Sequence, residues 1–209
     1  QVGVLAEAFG MTVVFYDVAS RLAMGNNRVS PDLASLLRES DFVTLHVPET
    51  PQTKDMIGDA ELARMKKGAC LLNASRGTVV VIPALAAALR SGHVGGAAVD
   101  VFPEEPEGNQ GSFASEIQGL PNVILTPHIG GSTVEAQVAI GQEVSQTLLR
   151  FLSDGTTTGS VNFPIAELAR HAGSHRLVHV HRNVPGVLRD VNRIVSEAEA
   201  NVAIGKARS

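Results

Sequence analysis

Six polar positions in this 209-residue sequence could carry chemistry, because each follows a stretch that reads as a β-strand. In a parallel α/β sheet, ligands bind at the carboxyl ends of the strands. His128 closes residues 122–126 through Pro127 and precedes Gly130-Gly131, whose missing side chains would let a ligand approach the backbone. Histidine titrates near neutral pH, so it suits a base that takes up a hydroxyl proton while a hydride leaves the same molecule. Arg76, in Asn73-Ala74-Ser75-Arg76-Gly77, follows a buried run and could grip a substrate carboxylate with two hydrogen bonds. A surface arginine is the plainer alternative. A carboxylate beside the histidine would orient its ring and favour the imidazolium as it forms. Glu104 and Glu105 share an acidic, proline-flanked loop, and position alone does not choose between them. For Asp100, bracing its loop and touching a cofactor compete on equal terms. Asp17 ends residues 12–16, the place where a carboxylate accepts hydrogen bonds from the adenosine ribose of NAD and repels the extra phosphate of NADP. Its competing reading is a solvated loop aspartate.

These positions need a scaffold that alternates helix and strand, and the pattern supplies one. Residues 2–9 read as a helix stopped by Gly10, and 12–16 as a β-branched and aromatic strand. Ser30-Pro31 reads as a helix start, with serine as N-cap and proline at the first helical position. Further strands are expected at 42–46, 69–73, 97–101 and 122–126, making five. Helices are expected from about Ala60, capped by Asp59, to Lys67 with Gly68 as its stop, and at 82–90. The expected architecture is α/β, a doubly wound parallel sheet. A long helix over 133–152 follows, with small residues at Ala136, Ala139 and Gly141, then a polar linker at 153–160 and an extended 161–164. The tail reads as a strand at 176–181, a Pro185-Gly186 turn, a helix at 187–199 and a new strand from Asn201.

Composition narrows the partners. Hydrophobic residues make up 44% and charged ones 18%, as in an ordinary folded domain. The net charge is −4 and no basic cluster exceeds Lys66-Lys67, so neither nucleic acid nor an anionic membrane is expected. The longest nearly apolar run, residues 79–89, is too short to span a bilayer. Cys70 is the single cysteine, expected as a buried thiol in a reducing, cytoplasmic setting. No metal site is expected.

The motifs Phe15-Tyr16-Asp17, Leu45-His46-Val47-Pro48, residues 73–80, Asp100-Val101-Phe102-Pro103-Glu104-Glu105-Pro106 and residues 126–133 together resemble those of the D-2-hydroxyacid dehydrogenases, in register over nearly the whole chain. The resemblance implies a Rossmann-like NAD-binding domain over 1–131, lacking its first strand and glycine loop. It implies Arg76, Glu105 and His128 as the catalytic residues, which selects Glu105 over Glu104. It also implies cofactor contacts at Asp17, Ala74, Ser75, Arg76, Asp100, His128, Ile129, Gly130 and Gly131. Val81 stands where that motif often has an acidic residue.

Residues 161–164 and 177–188 resemble the start of the ACT regulatory domain in the phosphoglycerate-oxidising branch of the family. That implies a connecting segment over 132–173 and a partial β-α-β ACT-like tail over 174–209. It further implies 3-phosphoglycerate as substrate, L-serine as regulator at His181, Asn183 and Asn201, and a homo-oligomer when complete. Another 2-hydroxy acid such as glyoxylate or hydroxypyruvate is the nearest alternative, and a non-catalytic fragment that dimerises or binds an amino acid is the more distant one. The sequence is expected to be a fragment, inactive alone, with a Gly-x-Gly-x-x-Gly turn encoded upstream of Gln1. Residues 202–209 drift from the family pattern, as a frameshifted end would.

Overall fold

The computed structural model describes residues 1–19, 21–106, 112–160, 163–167, 173, 175–182 and 184–200. The chain forms two compact units, Gln1–Ile129 and Gly130–Ser209. In the first, helix α1 (Val2–Ala8) leads to strand β1 (Val14–Phe15), shorter than expected. A strand that went unforeseen, β2 (Arg28–Val29), pairs parallel with it, Val14 beside Arg28. Two residues are too few to show an alternating pattern in sequence.

Helix α2 (Leu33–Glu39) begins two residues later than Ser30-Pro31 predicts. Asp32 is the cap, its carboxylate accepting from the Ser35 amide at 2.6 Å. Ser30 is buried, its hydroxyl donating to the Asp32 carbonyl, so it braces the approach to the helix instead. Strand β3 (Phe42–Leu45) follows, then helix α3 (Asp59–Arg64). Gly58, not Asp59, is the cap of α3, and Glu61 reaches back to accept from the Gly58 amide at 3.3 Å. The helix ends at Arg64, before the expected Lys67.

Strand β4 (Cys70–Asn73), a turn of 3-10 helix at Gly77–Val79, helix α4 (Ile82–Arg90) with Pro83 in its first turn, strand β5 (Gly96–Val99) and strand β6 (Val123–Leu125) complete the unit. The strands β3-β4-β5-β6 lie in that order, all parallel, in a sheet separate from β1-β2. This is the parallel α/β architecture expected. Leu37 of α2, Leu62 of α3 and Leu85 of α4 enter one core with Val43, Leu45, Leu71 and Val99 of the sheet. Burial alternates along β3: Val43 and Leu45 face that core, while Phe42 is 57% exposed. Cys70 is half-buried, more open than expected, with a free thiol.

In the second unit, helix α5 (Val134–Asp154) is capped by the Thr133 hydroxyl and closed by Gly155 in the left-handed conformation. The segment after it is less exposed than a linker: Thr156 and Thr157 are buried, and the Thr157 hydroxyl donates to the Pro164 carbonyl at 2.6 Å. Residues 176–181 form no strand, contrary to the alternating pattern, because a strand is completed only by a neighbour's hydrogen bonds. The Pro185-Gly186 turn leads into helix α6 (Val187–Glu197), as expected. The extended pair 161–162 and the strand expected from Asn201 lie outside the described residues. Among the described residues, no helix is long and apolar enough to cross a membrane, and no group of three His, Cys, Asp or Glu side chains could hold a metal ion.

Candidate active site

Parallel register aligns the strand ends, so the segments leaving β4, β5 and β6 emerge side by side. The first carries Arg76, the second Asp100 and Glu105, the third His128. Glu105 and His128 meet directly: Nδ1 of the ring lies 2.8 Å from one carboxylate oxygen and 3.0 Å from the other. Partial burial opposes ionisation of Glu105, but the Phe102 amide, donating at 2.9 Å, and the His128 ring outweigh it and hold the carboxyl below its ordinary range. An ionised carboxylate only accepts, so Nδ1 must donate. In the neutral ring that leaves Nε2 as the nitrogen with a lone pair, and no described residue hydrogen-bonds to it. The arrangement is one that can act as a base with its orienting partner.

The backbone adds to the constraint. His128 lies in the left-handed region at φ 51°, uncommon for a side chain of its size and held here by its neighbours. One of those is Asp100, whose Oδ1 accepts from the His128 amide at 3.1 Å and from the Thr126 hydroxyl at 2.5 Å. Asp100 thus braces the loop, one of the two roles open from sequence.

Arg76 is exposed, and its guanidinium makes no ion pair among the described residues, donating only to the Ser75 carbonyl at 2.6 Å. A cation held at a strand end without a counter-ion is available to an anion. Ser75 is buried, hydrogen-bonded to Asn73 through both amide and hydroxyl, while Ala74 is exposed. The Arg76 turn packs closely on the Glu105 turn: a Cβ added at Gly77 would lie 2.0 Å from both the carbonyl carbon and oxygen of Phe102. Neither Asn73 nor Gly77 is singled out by sequence as a positioning group. The Asn-x-Ser spacing, which favours a side-chain-braced turn, is the signal that could have found the first.

The other expected residues have partners of their own or are exposed. Asp17 accepts from the Ala19 amide at 2.9 Å, the main influence holding it below the usual carboxylate range, and pairs with Arg21 at 3.0 Å. It is ionised and 37% exposed, which fits an acceptor for ribose hydroxyls, with Arg21 as the group to be shared or displaced. Ile129 is exposed, and a Cβ at Gly130 or Gly131 would meet nothing within 4 Å, so packing in the chain itself does not demand glycine there. His181 engages the Arg182 carbonyl through Nδ1 at 2.8 Å. Asn183 and Asn201 lie outside the described residues.

The acid sensitivity of the Glu105–His128 pair follows from its sign. Because the folded value of Glu105 is depressed, its contribution to stability is complete above the ordinary glutamate value of 4.5 and is lost as the pH falls through the lower folded value. Denaturation midpoints of wild type and Glu105→Gln should therefore differ at neutral pH and converge on acidification. Curves that stay parallel down to about pH 3 would show that Glu105 gains nothing from the folded state.

Comparison with known proteins identifies the family. Residues 1–130 match the model of the D-isomer specific 2-hydroxyacid dehydrogenase NAD-binding domain. The chain is 55% identical to a D-3-phosphoglycerate dehydrogenase of Dictyostelium discoideum, over 100% of this chain and 51% of that protein. It is 52% identical to the D-3-phosphoglycerate dehydrogenase of Escherichia coli (strain K12), over 97% of this chain and 49% of the other. The chain thus spans about half the length of the curated relatives it matches. Among solved structures it resembles a D-lactate dehydrogenase from Sporolactobacillus sp (35% identity, TM-score 0.63, covering 75% of this chain and 50% of that one). It also resembles the D-lactate dehydrogenase of Aquifex aeolicus complexed with NAD and lactic acid (34% identity, TM-score 0.60, 72% and 49%). With the family model covering more than half of the chain, the chain belongs to the D-isomer specific 2-hydroxyacid dehydrogenases, with their NAD-binding domain over residues 1–130.

Proposed function

We propose that the complete protein carrying this chain oxidises 3-phosphoglycerate to 3-phosphohydroxypyruvate, with Arg76, Glu105 and His128 as its catalytic residues. The observation that carries the reading is the hydrogen bond between ionised Glu105 and His128 Nδ1, which leaves Nε2 as the proton acceptor. Nε2 takes the proton of the 2-hydroxyl as the C2–O bond gains carbonyl character. The hydrogen on C2 departs with its electron pair, and NAD, when bound, supplies the acceptor for that hydride. Glu105 stabilises the imidazolium that results, and Arg76 grips the carboxylate next to the reacting carbon. Asp17, Ala74, Ser75, Asp100 and the 128–131 segment are proposed to line the cofactor.

Identity to phosphoglycerate dehydrogenases across essentially the whole chain, not just the first 130 residues, supports that substrate over another 2-hydroxy acid and supports L-serine as a regulator acting through the tail. A homo-oligomer is proposed on the same ground. The test is an NADH-formation assay on the complete protein with 3-phosphoglycerate, D-lactate, glycerate and 2-hydroxyglutarate, repeated with L-serine titrated in. We expect 3-phosphoglycerate to have the highest kcat/KM by about tenfold or more and serine to inhibit. A preference for an unphosphorylated acid would overturn the substrate assignment, and insensitivity to serine would overturn the regulatory one.

A further inference from the structure

Asn73, the last residue of β4, joins the two turns that hold the proposed catalytic groups. The residue is 1% exposed. Oδ1 accepts from the Ser75 amide at 3.1 Å and from the Ser75 hydroxyl at 2.8 Å, and Nδ2 donates to the Arg76 carbonyl at 3.0 Å. The backbone carbonyl of the same residue accepts from the Asp100 amide at 2.9 Å. Asp100 in turn holds the His128 amide. An unbroken hydrogen-bonded path thus runs from Arg76 through Asn73 and Asp100 to His128. Asparagine suits the junction because one planar group offers both an acceptor, for Ser75, and a donor, for the Arg76 carbonyl. Aspartate would set a second acceptor against that carbonyl, and leucine would leave buried polar groups without partners.

We propose that Asn73 is a positioning residue that fixes Arg76 relative to His128, so that the clamp and the base act on one substrate. Buried as it is, it acts through Arg76 and not by touching the substrate. The inference rests on the assignment of Arg76 and His128 as catalytic groups.

A double-mutant cycle in the complete protein tests it, with wild type, Asn73→Asp, Arg76→Ala and the double variant assayed for oxidation of the preferred 2-hydroxy acid. Asn73→Asp preserves the shape and the acceptor for Ser75 but withdraws the donor to Arg76. Because a displacement of about 1 Å in a substrate-positioning group can cost on the order of 100-fold, Asn73→Asp should lower kcat/KM for the acid by about 10- to 100-fold. The KM for NAD should move by less than about threefold, since aspartate keeps the acceptors that hold Ser75 and Asp100, two of the proposed cofactor contacts. In the Arg76→Ala background the same change should cost less than about twofold, because there is no guanidinium left to misplace. An equal loss in both backgrounds would mean general destabilisation and overturn the proposal, as would Asn73→Asp with wild-type kcat/KM. If the aspartate variant does not accumulate, Asn73→Ser, which is neutral and smaller, is carried through the same cycle. Arg76→Ala that leaves turnover intact would overturn the assignment of Arg76 and this proposal together, and that result is visible without any Asn73 variant.

Discussion

Replacing His128 with alanine in the complete protein should lower kcat/KM for 2-hydroxy acid oxidation by about 10²- to 10⁴-fold, the range that removal of a positioned general base produces. An ionised Glu105 carboxylate against Nδ1 sets the tautomer, and no other described residue hydrogen-bonds to the ring. Alanine also disturbs a backbone held at φ 51°, so a second variant separates chemistry from conformation. Asparagine tolerates the left-handed region better than most side chains and keeps a polar group, yet it cannot take up a proton at neutral pH. His128→Asn should therefore fold as wild type does and lose turnover as alanine does. Turnover left unchanged by both would favour a non-catalytic chain over every enzymatic reading. Recovery in His128→Asn alone would shift the role of this position from base to loop geometry.

Gly77→Ala should destabilise the first unit by about 3 kcal/mol, at the upper end of the cost of forcing extra atoms into a packed site. Two effects oppose each other here. Where the native backbone accepts alanine, the change usually stabilises by ~0.4–1 kcal/mol, because the unfolded chain loses freedom. At Gly77 the new Cβ would lie 2.0 Å from the carbonyl carbon and oxygen of Phe102 and 2.6 Å from its Cα, all backbone atoms that no rotamer change can move. The steric term therefore wins, and relief requires the Arg76 turn and the Glu105 turn to part. Chemical denaturation of the 209-residue chain measures the first consequence and turnover by the complete protein the second. A variant as stable as wild type would show that the two turns can separate freely, contrary to the packing seen.

What was legible in the sequence is what local chemistry determines. The strands β3 to β6 and the helices α4 and α5 follow from apolar runs, Pro83 near a helix start and a threonine cap, because each signal sits within a few residues of its effect. The cap of α2 was misplaced because Ser30 and Asp32 are both good caps, and the choice depended on Ser30 being buried beneath the turn. The strand expected at 176–181 shows the opposite limit. Alternation marks a stretch that could join a sheet, but pairing belongs to two segments, and one of them cannot create it.

The candidate site divides in the same way. By itself the sequence determined that His128, Arg76 and Asp100 stand at strand ends, and family resemblance singled out Glu105 from Glu104. Only the tertiary structure decided that Glu105 meets the histidine ring at 2.8 Å, that Asp100 braces the His128 amide across 28 residues, and that Asn73 and Gly77 hold the Arg76 turn to its neighbours. The physical reason is that residue type and spacing specify what a group can do, whereas a hydrogen bond or a steric contact depends on positions set by the parallel register of β4, β5 and β6. That register comes from the whole core packing at once, and no single motif encodes it.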